Sequence, residues 1–80
     1  MKLAIGSVVK AEAGRDSGGY FVVTDISEGF CSIADGRTRK LAKPKRKNLK
    51  HIRTTDSMID LNDITDKKLR NLLKEFGSAE

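Results

Sequence analysis

One cysteine, one histidine and no tryptophan occur in a chain of 80 residues, and each scarcity removes a class of function. Cys31 cannot close an internal disulfide, and with His51 as its sole companion it cannot build a zinc site. No metal and no cofactor are therefore expected. The same poverty leaves no recognisable acid–base or nucleophile constellation, so no catalytic residue and no enzymatic activity are expected. A single tyrosine makes a thin platform for stacking bases. Tyr20, Phe21 and Phe30 could stack or pack, and Phe21 and Phe30 are read as core. No apolar run approaches the roughly 18 residues of a membrane span, and Met1–Gly6 lacks the apolar stretch of a signal peptide. A cytoplasmic protein without a membrane partner is the expectation. A chain this short buries only about 60–65% of the surface it exposes unfolded, which leaves little material for a deep cavity and puts function on the surface.

What the sequence has in abundance is positive charge, concentrated in one block. Residues 1–36 carry three basic and five acidic residues, and residues 54–80 carry four basic and six acidic, each a net of −2. Between them Arg37, Arg39, Lys40, Lys43, Lys45, Arg46, Lys47, Lys50 and Arg53 stand without one acid, a net of +9. Such a field attracts polyanions, and lysine and arginine release condensed counterions when they meet phosphates. A solvated, solubilising edge is the alternative, and the density of cations favours binding. Density does not separate RNA from DNA.

Short β-branched and aromatic runs read as strands at about residues 6–12, Tyr20–Ile26 and Phe30–Ala34. Asp35-Gly36 reads as a two-residue hairpin turn leading into a returning strand Arg37–Leu41. Pro44 then separates that strand from a fifth at Asn48–Arg53, where the alternation gives no clean inside face. Gly14 to Gly19 holds three glycines and suits a tight turn or close approach by a ligand. It is not a nucleotide phosphate loop, because the Gly-x-x-x-x-Gly-Lys-Ser/Thr pattern is missing.

At the C-terminus the period changes. Leu69, Leu72, Leu73 and Phe76 follow i, i+3, i+4, i+7, the signature of an amphipathic helix at about 66–76. Thr65 stands as its N-cap, Ile64 and Leu69 at staple spacing, Asp66 in the first turn and Gly77 as the stop. Short strands and one helix indicate a mainly β fold, a small barrel or bent sheet with an appended helix covering one face. The expected division is a barrel over 1–56 and an extension over 57–80.

Gly6 through Val23, Gly-Ser-Val-Val-Lys-Ala-Glu-Ala-Gly-Arg-Asp-Ser-Gly-Gly-Tyr-Phe-Val-Val, resembles a KOW motif, with Gly14 at the hallmark glycine. The stretch from Ile33 to Ile52, with its Lys-Pro-Lys-Arg-Lys-Asn-Leu-Lys-His run, is similar to small bacterial KOW proteins related to large-subunit ribosomal proteins of archaea and eukaryotes. The resemblance covers about residues 5–54 and implies an SH3-like barrel that binds ribosomal or other structured RNA. Residue by residue it implies contacts from Gly14 and Arg15 and from the basic run.

The leading expectation is thus a monomeric RNA-binding module, with ribosomal RNA as target and shape read more than sequence. Its contacts would come from Gly14, Arg15, Arg37, Arg39, Lys40, Lys43, Lys45, Arg46, Lys47, Lys50 and His51. For Arg15 the alternative is a solvated or Asp16-paired turn residue, and for His51 a packed structural group. Cys31 reads as a small buried hydrophobe. A different class of function is a protein-interaction module that docks on a transcription or translation component through the barrel edge and the C-terminal helix. A ligand-binding or catalytic domain would need a formed pocket with convergent titrating groups.

Overall fold

The computed structural model describes residues 3–12, 14 and 18–77. Among these, five strands form one antiparallel sheet: β1 (Ser7–Ala11), β2 (Tyr20–Ser27), β3 (Phe30–Ala34), β4 (Lys45–Asn48) and β5 (Ile52–Met58). A helix, α1 (Asp66–Gly77), follows. The strand order β4-β3-β2-β1-β5 leaves β4 and β5 at opposite edges, and the three-residue 3-10 turn Leu49–His51 carries the chain from one edge to the other. The result is the expected mainly β, SH3-like barrel with a C-terminal helix.

The sheet is apolar on both faces. Because neighbouring strand residues point to opposite sides, pairs such as Val8-Val9, Val22-Val23 and Ile33-Ala34 bury one member each way. Val9, Ala11, Phe21, Val23, Cys31 and Ile33 fill the inside, joined by Leu3, Leu49 and Ile52. Val8, Val22 and Ala34 face the other way, where Leu69 and Leu73 of α1 cover them together with Ile59, Leu61, Ile64 and Phe76. Fully burying a side chain such as Leu69 contributes about 1.5–3 kcal/mol. Leu72, expected on the same apolar face, lies at its margin and is 43% exposed.

The three early strands and the helix lie where the sequence predicts them. Thr65 caps α1 as expected, its hydroxyl accepting the Lys68 N–H at 3.1 Å. Ile64 and Leu69 join one cluster, as staple spacing requires.

Two expectations fail. Residues 37–41 are not a strand but part of a loop. Asp35 Oδ1 accepts the N–H groups of Arg37 (2.9 Å) and Arg39 (2.8 Å), while the Arg39 carbonyl accepts those of Asp35 and Gly36. A side chain that satisfies local amides this well competes with a strand ladder, and the Asp35-Gly36 pair therefore closes a loop instead of a two-residue hairpin. The fifth strand also starts later than Asn48. Asn48 ends β4 and its side chain accepts the Lys50 N–H at 2.9 Å, which winds Leu49–His51 into the 3-10 turn before β5 begins at Ile52.

Gly36 explains why the loop takes this shape. Its φ is +75°, and a Cβ there would overlap the Asp66 carbonyl at the start of α1. The helix and loop are stitched at the same place: Asp66 Oδ1 accepts the Leu41 N–H at 2.8 Å, and Arg70 Nη1 donates to the Gly36 carbonyl at 3.1 Å. Gly29 has a similar φ of +73° but a Cβ there would meet nothing within 4 Å. Gly29→Ala should therefore cost only the left-handed backbone penalty of about 1–2 kcal/mol, and Gly36→Ala that penalty plus the displacement of α1. Urea denaturation of both variants measures the difference. Equal losses would show that α1 does not press on Gly36.

Burial pushes the Cys31 thiol above its ordinary value. The folded protein then keeps a proton that the unfolded chain releases above about pH 8.5. This contribution to stability is complete below the unfolded thiol's pKa and is lost as pH rises towards the folded value. Cys31→Ala should flatten the decline in urea midpoint between about pH 7.5 and pH 9.5 relative to the parent. Parallel declines in the two proteins would assign the alkaline loss to other groups.

Candidate nucleic-acid interface

The basic block divides among three kinds of backbone. Arg37, Arg39, Lys40 and Lys43 lie in the β3–β4 loop, Lys45, Arg46 and Lys47 on β4, and Lys50 and His51 on the 3-10 turn, with Arg53 near the start of β5. Seven of the nine cations are exposed, Arg39 is half-buried and Lys47 is buried. His51 is exposed as well. The block is thus displayed on folded chain, with Lys43 N–H bonded to the Lys40 carbonyl at 3.0 Å just before Pro44.

Strand alternation sorts the cations of β4. Lys47 pairs with Cys31 and Lys45 with Ile33, so both stand on the interior side of the sheet, whereas Arg46 pairs with Ser32 on the outer side. Arg46 places its guanidinium 4.1 Å from the centroid of the Phe30 ring. An arginine over an aromatic face is held by its quadrupole and keeps its edge donors available. Phe30, expected in the core, is half-buried and serves as a seat for that cation.

Lys47 is 8% exposed, and a Cβ on Gly14 would stand 3.0 Å from its ammonium nitrogen. The side chain therefore reaches from the β4 edge to the β1–β2 turn and brings two sequence-predicted site residues together. Gly14, with φ of +83°, takes a conformation that favours glycine, and its missing side chain leaves room for the ammonium. Arg15 lies outside the described residues. Among the described residues no buried side-chain nitrogen or oxygen lacks a hydrogen-bond partner.

At the other edge the field is partly offset. Arg53 Nε lies 3.3 Å from Glu12 Oε1 in an exposed ion pair. The backbone ties the same corner, the Glu12 N–H donating to the His51 carbonyl at 2.8 Å. Leu3, Leu49 and Ile52 floor a shallow groove of about 340 Å³ there, with Lys50 and Arg53 on its walls.

Sequence reasoning missed three basic residues near this surface. Lys10 pairs with Arg53 across β1 and β5 and sits 5.7 Å from the Tyr20 ring centroid. Arg70 and Lys74 of α1 line a cleft with Arg37. The i, i+4 spacing of Arg70 and Lys74 put them on one helix side, but nothing in the sequence said that this side would meet the loop. Among the described residues no helix is long and apolar enough to cross a membrane.

No family model matches the chain. The large ribosomal subunit protein eL14 of Staphylothermus marinus is 30% identical over 80 aligned residues, which cover 98% of this chain and 83% of that protein. The match therefore takes in α1 as well as the barrel, beyond the stretch in which the KOW resemblance was visible. The chain belongs to the family of the large ribosomal subunit protein eL14.

Proposed function

We propose that this protein is a cytoplasmic, ribosome-associated RNA-binding protein that acts by binding and not by catalysis. It holds structured RNA, ribosomal RNA in the first place, through phosphate contacts from the β3–β4 loop, β4 and the 3-10 turn. The observation that carries this reading is the display of seven exposed cations, from Arg37 to Arg53, on backbone that folding has already ordered. Cations fixed in this way lose less conformational freedom on binding than those of a free tail. Kinship with a large ribosomal subunit protein supports RNA over DNA as the polyanion.

In this reading Arg37, Arg39, Lys40, Lys43, Lys45, Arg46, Lys50 and His51 meet the RNA directly, joined by Gly14 and by Arg15, its neighbour in the KOW-like sequence. Lys47 acts from within, holding that turn beside β4. Contacts of this kind follow shape and backbone, so little sequence selectivity is expected.

A second reading, docking on a protein of the translation machinery, is favoured by the exposed apolar side chains Ile5 and Met58, which are 56% and 62% accessible. It requires an association that survives nuclease treatment.

The test is the salt dependence of binding to refolded large-subunit ribosomal RNA. Five or six phosphate contacts give a log–log slope of about −3.5 to −5. The quadruple variant Lys43→Gln, Lys45→Gln, Arg46→Gln and Lys50→Gln leaves Lys47 and the loop closure intact, and should make the slope shallower by about 3. A folded variant that binds with the parent's slope would remove the RNA-binding reading from this surface.

A further inference from the structure

A cleft of about 300 Å³ opens between α1, the β3–β4 loop and the start of β2, on the side where α1 meets the sheet. Its lining includes Arg37, Arg70, Lys74 and Asp35, with Tyr20, Leu73, Gly18 and Gly19. Three cations thus converge from two elements distant in sequence, against one carboxylate. Asp35 Oδ1 already accepts two loop N–H groups, so part of its capacity is spent inside the loop.

We propose that this cleft is a second phosphate-binding site, taking the sugar–phosphate backbone of the RNA whose main contacts lie along the basic block. The proposal rests on the RNA-binding reading above and extends it to a helix that the reading did not include. Arg70 is positioned before any ligand arrives. Its Nη1 donates to the Gly36 carbonyl at 3.1 Å, which fixes the guanidinium at the cleft wall, and a guanidinium has five N–H donors in all. Lys74 stands one turn further along α1, and Lys67, exposed, one turn before, so a line of cations runs down one side of the helix.

The opposite wall is suited to close approach. Gly18 has φ of +87° and a Cβ there would meet no described residue within 4 Å, so its own backbone is open to approach. A sugar–phosphate chain can approach glycine main chain more closely than it can a side chain. The volume is at the small end for a ligand pocket, about 300–1,000 Å³, which fits a phosphate with its sugar better than a complete nucleotide cofactor. Arg37 belongs both to this cleft and to the basic block, so the two surfaces are continuous.

The experiment uses the full chain and refolded large-subunit ribosomal RNA. Lys67→Gln with Lys74→Gln neutralises the helix side while keeping Arg70 and its bond to Gly36, and a thermal melt confirms that α1 stays docked. Lys74, which lines the cleft, and Lys67, one turn outside it on the same helix side, are two phosphate contacts whose loss should make the log–log salt slope shallower by about 1.4–1.8. The quadruple variant of the β4 side, measured in parallel, separates this inference from the reading it rests on. A shallower slope in both variants supports the site. A shallower slope in the β4 variant alone overturns the site and leaves the RNA-binding reading standing. Parent slopes in both overturn the two together. Adenosine monophosphate at millimolar concentration should leave RNA affinity unchanged, and competition that disappears in the helix variant would reassign the cleft to a free nucleotide.

Discussion

The contact between Gly36 and the Asp66 carbonyl decides how this small chain completes its fold. A five-stranded sheet with valines pointing both ways cannot leave its outer side in water, and the barrel interior can take only one side. Something must cover Val8, Val22 and Ala34. The segment from Ile59 to Phe76 does so, and it can approach closely enough because position 36 has no Cβ. Asp66 and Arg70 then bind the loop that Gly36 opens, through the Leu41 amide and the Gly36 carbonyl. Cover and loop are one construction.

That construction also governs the display of charge. A nine-cation stretch left to itself would repel and extend. Here the β3–β4 loop is closed from within by Asp35 and held from outside by α1, so Arg37, Lys40 and Lys43 project from anchored backbone. Arg46 is steadied over Phe30 and Arg53 against Glu12. The cations of β4 have a second effect, because charged residues on an edge strand oppose pairing with the edge of another sheet.

The sequence revealed those parts of the fold whose signals are local. β-branched runs marked β1, β2 and β3, and the 3.6-residue period with Thr65 ahead of it marked α1. Where the reading failed, a local signal carried a tertiary duty. Asp35-Gly36 carries the composition of a hairpin turn, but Gly36 is small in order to admit the helix and Asp35 spends its carboxylate on loop amides. Asn48, expected to open the fifth strand, closes β4 and caps the 3-10 turn. The candidate site was legible as charge, since nine cations without an acid need no structure to be seen. Its geometry was not. The seat of Arg46 on Phe30 joins residues sixteen positions apart, and Arg70 meets the Gly36 carbonyl across thirty-four, separations at which no spacing rule operates.

Lys47 shows most clearly how fold and interface share the same residues. By composition it is one more cation of the run, but strand alternation turns it to the side of Cys31, where a long aliphatic stem can cross apolar surface and deliver its ammonium at the far end. It delivers it at Gly14. A shorter side chain at 47 would not span from β4 to the β1–β2 turn, and a larger residue at 14 would crowd the ammonium. The glycine of the N-terminal motif and the lysine of the basic run are therefore two halves of one contact, separated by β2 and β3 in sequence and adjacent in space. An interface assembled from both stretches needs that adjacency, and a buried lysine among exposed ones supplies it.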